Sequence, residues 1–311
     1  MSKSQFNAPH FQSPEAAREY LEALRWGSDR VCPHCGTVNE SFATKKAGVY
    51  RCRAKECRRD FSVTTKSVME SSHIKLNVWL QAFFLMSSSK KGISSHQLHR
   101  ALGITYKSAW FLTHRIREAM RAGGLMPPMG GSGKTVEADE TFIGKNAFSP
   151  KGRKKPGVAF RNIVLTLVER GGSARSFPID THTLTEITAI VRANVHHETA
   201  MNTDEGKWYN ELGEHFASHD TVNHSKDEYV RSDITTNTVE GYYSIFKRGM
   251  KGVYQHCSEK HLHRYLSEFD FRYSNRVALG VNDGERADIA IKGAAGKRLT
   301  YRQPSLKVIP F

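Results

Sequence analysis

Residues 135–144 read TVEADETFIG, and the alternation of apolar and polar side chains predicts a β-strand that carries Asp139 on its polar face. Glu137 lies two residues earlier and therefore points to the same face of such a strand. Glu140 is the next residue along the chain, so the register of the strand decides which of these carboxylates meet. The stretch predicts a strand whose principal candidate functional residue is Asp139.

Alternating strands and helices are predicted after this first strand. Further strands are predicted at residues 162–169, 174–180, 200–203 and 221–224, and helices at residues 185–194, 208–216 and 236–248. The resulting order, β-β-β-α-β-α-β-α, is that of an RNase H-like fold. We therefore expect an RNase H-like α/β domain over residues 135–276.

Two more acidic residues of this domain are candidates for the same site as Asp139. Asp204 ends the strand at 200–203, and Glu240 lies on the last helix, seven residues before Lys247. Cleavage of a phosphodiester requires stabilisation of the attacking and leaving oxygens, which two Mg²⁺ ions about 3.5–4 Å apart provide. Mg²⁺ prefers carboxylate oxygens and keeps several waters, so a few carboxylates suffice. The alternative is that these are unrelated acidic side chains, with Asp204 or the adjacent Glu205 capping a turn.

Four of the five cysteines lie close together near the start of the chain. They form a C-x2-C pair and, after sixteen residues, a C-x4-C pair, comprising Cys32, Cys35, Cys52 and Cys57. Two such pairs place four thiolates within tetrahedral reach of one ion, and a structural metal supplies folding energy to a small segment. We expect one structural Zn²⁺ in a zinc ribbon, the alternative being four unrelated buried thiols. The second pair is wider than the usual C-x2-C, so its two extra residues must bulge outward.

Basic side chains surround the second cysteine pair. We expect this face to contact DNA phosphates, the alternative being an ordinary solvated surface. The residues concerned are Arg51, Arg53, Lys55, Arg58 and Arg59.

A helix-turn-helix is predicted over residues 93–121. One short helix ends near Leu102, residues 103–105 form the turn, and a second helix covers residues 106–120, while residues 78–86 supply the third helix of the bundle. The alternative is a plain helical bundle without a nucleic-acid partner. The candidate DNA contacts on the second helix are Tyr106, Lys107, Ser108 and Arg115.

The charge of the chain supports a polyanionic partner. The 311 residues include 46 Lys and Arg against 31 Asp and Glu, a net charge of +15. Residues 1–130 hold 20 basic and 9 acidic residues, so the excess is concentrated there. No apolar run approaches the ~20 residues of a membrane span, and no secretory signal is visible, so we expect a cytoplasmic protein without a membrane partner.

These observations predict a multidomain α+β chain with a zinc ribbon, a helix-turn-helix bundle and an RNase H-like α/β catalytic domain. The predicted segments are an N-terminal helix at 1–28, the ribbon at 29–66, the helix-turn-helix at 72–123, a Gly- and Pro-rich linker at 124–134, the catalytic domain at 135–276 and a basic tail at 277–311.

Several stretches across residues 30–276 resemble one known family when taken together. They are CPHCG at 32–36, YRC at 50–52, DFSVTT at 60–65, VEADETFIG at 136–144, TDE at 203–205, HSKDEYV at 224–230, TTNTVEGYYSIFKRG at 235–249 and SEKHLHRYLSEFDFRYSNR at 258–276. The sequence resembles the insertion-sequence DDE transposases of the ISXO-like group, which have an N-terminal zinc ribbon and a transposase domain.

The resemblance implies cleavage at the ends of an insertion sequence and transfer of the freed 3′-hydroxyl into target DNA, with two Mg²⁺ or Mn²⁺ ions. Asp139 and Asp204 match the first two acidic positions. The family's third position is Glu or Asn followed by Lys, and the helix offers both Glu240 and Asn237. We favour Glu240 because it is the better Mg²⁺ ligand and has the seven-residue spacing to Lys247, while Asn237 orients a ligand or contacts DNA.

Additional DNA contacts are expected near this site. The loop SPKGRKKP at 149–156 either steers a phosphate backbone or is simply solvated. The candidate contacts are Lys151, Arg153, Lys154, Lys155 and Arg248. The expected partner is double-stranded DNA, both terminal inverted repeats and target, bound by a homodimer or larger assembly. The alternatives are a non-catalytic DNA-binding regulator and an RNase H-like nuclease without strand transfer.

Overall fold

The computed structural model describes residues 4–123, 126–144, 162–180, 183–226, 228 and 230–300. Contacts divide the chain into two compact units. The described residues of 1–89, 93–121 and 282–311 form the first unit, and those of 90–92 and 122–281 form the second. The first unit therefore combines segments from both ends of the sequence.

The first unit begins with two helices and a small sheet. Helices α1 (Pro9–Gln12) and α2 (Pro14–Trp26) precede strands β1 (Ser41–Ala43), β2 (Val49–Cys52) and β3 (Asp60–Ser62), which pair antiparallel in that order. The start of α2 is capped locally, because the Ser13 hydroxyl accepts a hydrogen bond from the Ala16 amide and Pro14 occupies the first turn. Strand β1 was not predicted, since its three residues carry no apolar alternation.

The helix-turn-helix prediction is confirmed at the level of its helices. Helix α3 (Leu76–Ser88) is followed by α4 (Ser95–Leu102) and α5 (Tyr106–Met120). Gly103 has a φ of 63°, a left-handed conformation that ends α4 without strain on a side chain. The Thr105 hydroxyl then caps α5 by accepting from the Ser108 amide at 3.2 Å.

The second unit is organised around a five-stranded mixed sheet. Its strands are β4 (Thr135–Ile143), β5 (Asn162–Glu169), β6 (Ala174–Ile179), β7 (Ala200–Thr203) and β8 (Ser218–Thr221), arranged in the order β6-β5-β4-β7-β8. Strand β4 is antiparallel to β5 and parallel to β7, and β7 is parallel to β8. The chain thus has the expected multidomain α+β fold with an RNase H-like sheet, which places the end of β7 beside the middle of β4.

Helices cover both faces of this sheet. Helix α6 (Leu184–Asn194) follows β6, and a hairpin of β9 (Val230–Arg231) and β10 (Ile234–Thr235) leads into α7 (Asn237–Gly249), which a π-helical turn separates from α8 (Glu259–Ser274). Leu165 and Leu167 of β5 lie in the apolar core that includes α6, whereas Val164 and Val168 lie in the core formed with α7 and α8. The period-two alternation of the strand therefore separates two cores.

Two predicted elements of the second unit differ from the structure. Residues 208–216 were predicted to be a helix but form two short 3-10 turns, Lys207–Tyr209 and Leu212–Glu214. The apolar spacing favoured a helix, but Gly213 in its interior lowers helix stability by roughly 1 kcal/mol relative to alanine. The fifth strand lies at Ser218–Thr221 rather than 221–224, because its pairing with Ala200–Thr203 sets its bounds.

The last described helix, α9 (Asp283–Lys292), belongs to the first unit and lies in the segment expected to be a weakly periodic tail. Its start shows a capping box in which Asn282 and Glu285 bond each other's backbone amides. The buried Arg286 guanidinium donates to the Ser87 carbonyl at the end of α3. Among the described residues, no helix has the length and apolar character needed to cross a membrane.

Candidate metal and active sites

The four clustered cysteines form a compact set of sulfur atoms. The distances are 3.6 Å from Cys35 Sγ to Cys52 Sγ and 3.8 Å from Cys32 Sγ to Cys57 Sγ, and each residue offers its sulfur within 4.8 Å of the others. Tetrahedral zinc with Zn–S bonds of about 2.3 Å separates its sulfurs by about 3.8 Å. The donor type and the spacing therefore fit one Zn²⁺ ion.

The wide second cysteine pair is accommodated by a turn. The amides of Cys57 and Arg58 both donate to the Ala54 carbonyl, at 3.0 and 3.1 Å, and Arg58 adopts a φ of 51°. The two extra residues thus bulge without displacing the fourth sulfur. Burial raises the pKa of the Cys52 thiol to about 12, whereas the Thr37 hydroxyl lowers the pKa of Cys35 to about 6. Metal binding must therefore displace a proton from Cys52, which makes the affinity depend on pH.

The candidate DNA contacts of the ribbon are exposed, but one of them has an ionic partner. Arg51 donates from Nε to Asp60 Oδ1 at 2.6 Å and from Nη2 to Asp60 Oδ2 at 3.1 Å. The Arg53 guanidinium lies 5.6 Å from the Phe42 ring centroid, and Arg58 and Arg59 are exposed. Arg53, Arg58 and Arg59 thus present positive charge to solvent, while that of Arg51 is balanced by a carboxylate.

The candidate DNA contacts of α5 fall into two groups. Tyr106 and Lys107 are exposed, and the Tyr106 ring stacks on His96 with centroids 4.2 Å apart. Ser108 takes part in the helix cap through its amide. Arg115 was expected to face DNA, and this prediction is corrected: its side chain is buried, donates to the Glu70 carbonyl at 2.5 Å and lies over the Trp79 ring.

Three carboxylates converge where the end of β7 lies beside the middle of β4. Asp139 on β4 and Asp204 directly after β7 come together because Glu137 of β4 pairs with Asn202 of the parallel strand β7. Glu140 joins them, and each of the three carboxylates has an oxygen within 4.8 Å of the others. Sequence reasoning considered Glu140 only as an alternative in register, since adjacent strand residues point to opposite faces.

The electrostatics of this cluster favour a cation. Burial, and to a smaller extent the charges of Glu140, Asp204 and Glu240, raise the pKa of Asp139 to about 8. Burial also raises the pKa of Glu140, although the Tyr209 hydroxyl donates to its Oε2 at 2.5 Å. Closely spaced carboxylate oxygens are hard donors of the type that Mg²⁺ or Mn²⁺ accepts, so these residues fit a divalent metal site.

Helix α7 holds the other predicted catalytic residues. Glu240 is exposed on the first turn of the helix and accepts a hydrogen bond from the Thr236 hydroxyl at 3.3 Å. Among the described residues it is not part of the convergent trio, although its negative charge contributes to the raised pKa of Asp139. Asn237 is the first residue of the helix and is exposed. Lys247 Nζ lies 5.7 Å from the Tyr243 ring centroid.

Tyr243 connects this helix to the catalytic strand. Its hydroxyl donates to the Asp139 carbonyl at 2.5 Å. Arg248, at the solvent face of α7, donates from Nε to the Ser244 carbonyl. The predicted basic loop lies outside the described residues, so nothing follows for Lys151, Arg153, Lys154 and Lys155.

Comparisons with known proteins cover both units. Residues 12–60 match the transposase zinc-ribbon domain family and residues 130–274 match the ISXO2-like transposase domain family. The chain is 26% identical over 277 residues to an uncharacterized protein in transposable element ISH50 of Halobacterium salinarum, covering 84% of this chain and 91% of that protein.

Two solved structures share a weaker similarity. They are a simian T-cell lymphotropic virus intasome in complex with a PP2A regulatory subunit (18% identity, 56% of this chain and 67% of that chain, TM-score 0.30) and a pre-cleavage Mos1 transpososome (13% identity, 68% and 73%, TM-score 0.26). TM-scores this low do not support an inference about this chain, and the similarity to transposases rests on the sequence matches and on their order along the chain. The chain thus combines a region that matches the transposase zinc-ribbon domain, at residues 12–60, with a region that matches the ISXO2-like transposase domain, at residues 130–274.

Proposed function

We propose that this protein cleaves the ends of an insertion sequence and joins the freed 3′-hydroxyl to target DNA by metal-dependent phosphoryl transfer. The observation that carries the proposal is the convergence of Asp139 and Glu140, in the middle of β4, with Asp204, just after β7, inside the region that matches the transposase domain family. Two bound Mg²⁺ or Mn²⁺ ions would stabilise the attacking and leaving oxygens of each displacement.

The chain's own residues have separate tasks in this scheme. Asp139 and Asp204 hold the metal from two adjacent strands, which keeps their separation nearly constant. The Tyr209 hydroxyl restricts the Glu140 carboxylate by donating to it. Lys247, two turns along α7 from Glu240, offers a positive charge for a DNA phosphate near the cluster.

Glu240 is the proposed third acidic ligand. It lies one turn before Tyr243, whose hydroxyl bonds the Asp139 carbonyl, so both residues occupy the same face of α7. Glu140 is the competing candidate because it is already in the trio, and Asn237 is placed to orient a ligand or contact DNA. Glu240→Gln and Glu140→Gln separate the two acidic candidates: the variant with the larger loss of Mg²⁺ affinity identifies the ligand.

The first unit is proposed to recognise double-stranded DNA, with one Zn²⁺ stabilising the ribbon. Arg53, Arg58, Arg59, Tyr106 and Lys107 are exposed, as contacts to phosphate or base edges require. Neutralising each phosphate contact weakens the salt dependence of binding by about one unit of slope. A homodimer or larger assembly is expected on DNA, because both element ends must be cut together.

Strand transfer of labelled DNA ends in Mg²⁺ or Mn²⁺ tests the proposal, using the sequence that flanks the gene. Wild type is compared with Asp204→Ala and with Glu211→Gln, a matched control that removes an exposed carboxylate of the same unit. We expect joined products from wild type and the control only. Cleavage of a substrate that is never joined, even when a pre-cut 3′-hydroxyl is supplied, indicates a nuclease. Binding without chemistry by zinc-loaded protein indicates a regulator.

A further inference from the structure

A fully buried carboxylate lies next to the acidic trio on β4. Glu137 is two residues before Asp139, and its side chain has no exposed surface. Its Oε2 accepts from the amides of Thr238 and Val239 at 2.7 and 3.0 Å, and its Oε1 accepts from the Thr238 hydroxyl at 2.8 Å. A strand that carries a candidate metal ligand therefore also holds the first turn of α7.

This contact replaces a local helix cap. The first amides of a helix lack intrahelical partners and are usually satisfied by a side chain of the preceding residue. Thr236, the residue before α7, makes no such hydrogen bond. The Glu137 carboxylate, about 100 residues earlier in the chain, supplies it, and its negative charge also suits the positive end of the helix dipole.

Arg170 extends the contact to the residues that lead into α7. Its Nε donates to Glu137 Oε1 at 2.7 Å, its Nη1 to the Asp233 carbonyl at 2.6 Å and its Nη2 to the Thr235 carbonyl at 3.0 Å. One guanidinium thus joins the buried carboxylate to the backbone just before β10 and at the last residue of β10. Its position after β5 fixes it to the sheet.

Asn202 connects strand β7 to the same group of hydrogen bonds. It is buried, is the direct partner of Glu137 in the β4–β7 pairing and precedes Asp204 by two residues. With its amide oriented to satisfy both ends, the oxygen accepts from Arg170 Nη2 at 2.9 Å and from the Thr235 amide at 3.3 Å. Each of the elements that present Asp139, Asp204 and Glu240 therefore contributes to one hydrogen-bonded layer.

We propose that Glu137, together with Arg170 and Asn202, forms a positioning layer that sets the distance of Glu240 and Lys247 from Asp139 and Asp204. The proposal rests on the function proposed above. Helix α7 already docks through Val239, Tyr242 and Phe246, which are buried in an apolar core. A buried ion pair adds little stability over apolar side chains of the same size. Its contribution here is the geometry of the helix start.

Glu137→Gln tests the layer, with Glu268→Gln as a matched control. Glu268 is also fully buried in the same unit and pairs with the buried Arg272, far along the sequence from the acidic residues. Both variants keep the side-chain shape and remove one buried charge, so both are expected to lower the unfolding temperature. Only Glu137→Gln should speed hydrogen exchange in a peptide covering residues 235–243. In calorimetry, only this variant should weaken Mg²⁺ binding, by about 10-fold or more, which is the usual scale for residues that orient metal ligands.

Strand transfer supplies the functional readout. We expect Glu137→Gln to lower the rate of joining about as much as it lowers Mg²⁺ affinity, with DNA affinity unchanged, and Glu137→Asp to restore part of it. Equal effects of Glu137→Gln and Glu268→Gln on exchange and Mg²⁺ affinity would overturn the proposal and leave Glu137 a purely structural residue. If wild type performs no DNA chemistry, the proposed function fails, while exchange and calorimetry still decide whether the layer positions α7.

Discussion

Two clusters of ionisable side chains, the cysteines of the ribbon and the carboxylates of the sheet, lie in very different surroundings. The cysteines fall within residues 32–57 and come from two local turns, whereas Asp139 and Asp204 come from two strands and are 65 positions apart. The spacing along the chain determines the first cluster, and the pairing of β4 with β7 determines the second. A site for a thiolate metal is therefore visible in a short motif, whereas this carboxylate site depends on sheet topology.

The two clusters also relate differently to folding. The ribbon has three short strands and few buried side chains, so that it depends on its metal for stability. The carboxylates are attached to a sheet with apolar cores on both faces, and their proximity is unfavourable without a cation. Removing the metal should therefore unfold the ribbon but leave the sheet intact.

The largest effect is expected from loss of a zinc ligand. Cys52→Ser should abolish zinc binding and unfold residues 30–65, because structural zinc in small domains contributes roughly 10 kcal/mol or more. Metal analysis and hydrogen exchange of the ribbon peptides measure this. Cys257→Ser is the control, since its thiol lies outside the cluster. A Cys52→Ser protein with protected ribbon amides would falsify the comparison.

Neutralising a carboxylate of the cluster should strongly lower activity but raise the stability of the metal-free protein. Asp139→Asn is expected to reduce strand transfer by about a thousandfold or more, since several kcal/mol of charge stabilisation are lost. In metal-free protein the same change should raise the unfolding temperature, because it removes a buried carboxylate that repels its neighbours. Thermal unfolding with and without Mg²⁺ checks this: Mg²⁺ should stabilise wild type and have little effect on the variant. A destabilised metal-free variant would contradict the argument.

A smaller effect is expected at Lys247. Lys247→Ala should reduce strand transfer about tenfold, the scale of one charge-assisted contact to a phosphate. Lys251→Ala, an exposed lysine just after α7, is the control. Rates measured over a range of salt concentrations test the electrostatic origin of the loss, because the rates of wild type and Lys247→Ala should converge at high salt. Equal losses for both lysines would indicate a general effect of charge.

The smallest expected effect concerns the pH dependence of stability at Asp270, a half-buried carboxylate that belongs to neither cluster. It accepts from the Ser176 amide and hydroxyl and from the Tyr242 hydroxyl, and burial raises its pKa to about 6. Because the unfolded chain ionises at lower pH, this residue's contribution to stability should fall as the pH rises from about 4 to about 6.

Comparison with Asp270→Asn isolates this contribution. The difference in unfolding free energy between wild type and variant should change by about 1–3 kcal/mol between pH 4 and pH 6 and stay level above pH 6. Denaturant unfolding at several pH values provides the measurement. A difference that grows in favour of wild type over this interval has the wrong sign and would contradict the raised pKa.

The regular elements of the sheet were predictable because their residues obey a simple alternation. Strands β5 and β7 match their predicted bounds, and helix α5 covers residues 106–120 as predicted. Helix α9 was not predicted, although the sequence contains the residues of a capping box at Asn282, because the segment was interpreted from its basic composition as a tail. Local signals thus sufficed where short-range contacts decide the structure.

The remaining features depend on tertiary contacts. Arg115 is a basic residue of the kind that contacts DNA, but its side chain is buried, where it donates to the Glu70 carbonyl and lies over the Trp79 ring. Glu140 joins Asp139 and Asp204 although alternation assigns it to the other face, and it is held there by Tyr209. The partners in both cases come from segments that no spacing rule connects. Sequence therefore indicated that Asp139 and Asp204 share a site, but it did not place Glu140 with them.

Helix α9 has a consequence for how the protein is made. It packs with α3 and belongs to the unit whose first two segments end at residue 121, so the ribosome synthesises the region that matches the transposase domain between the two parts. The sheet unit can fold during synthesis, while the amino-terminal unit must wait for its last helix to emerge. A copy shortened by an early stop codon lacks the α9 contacts altogether.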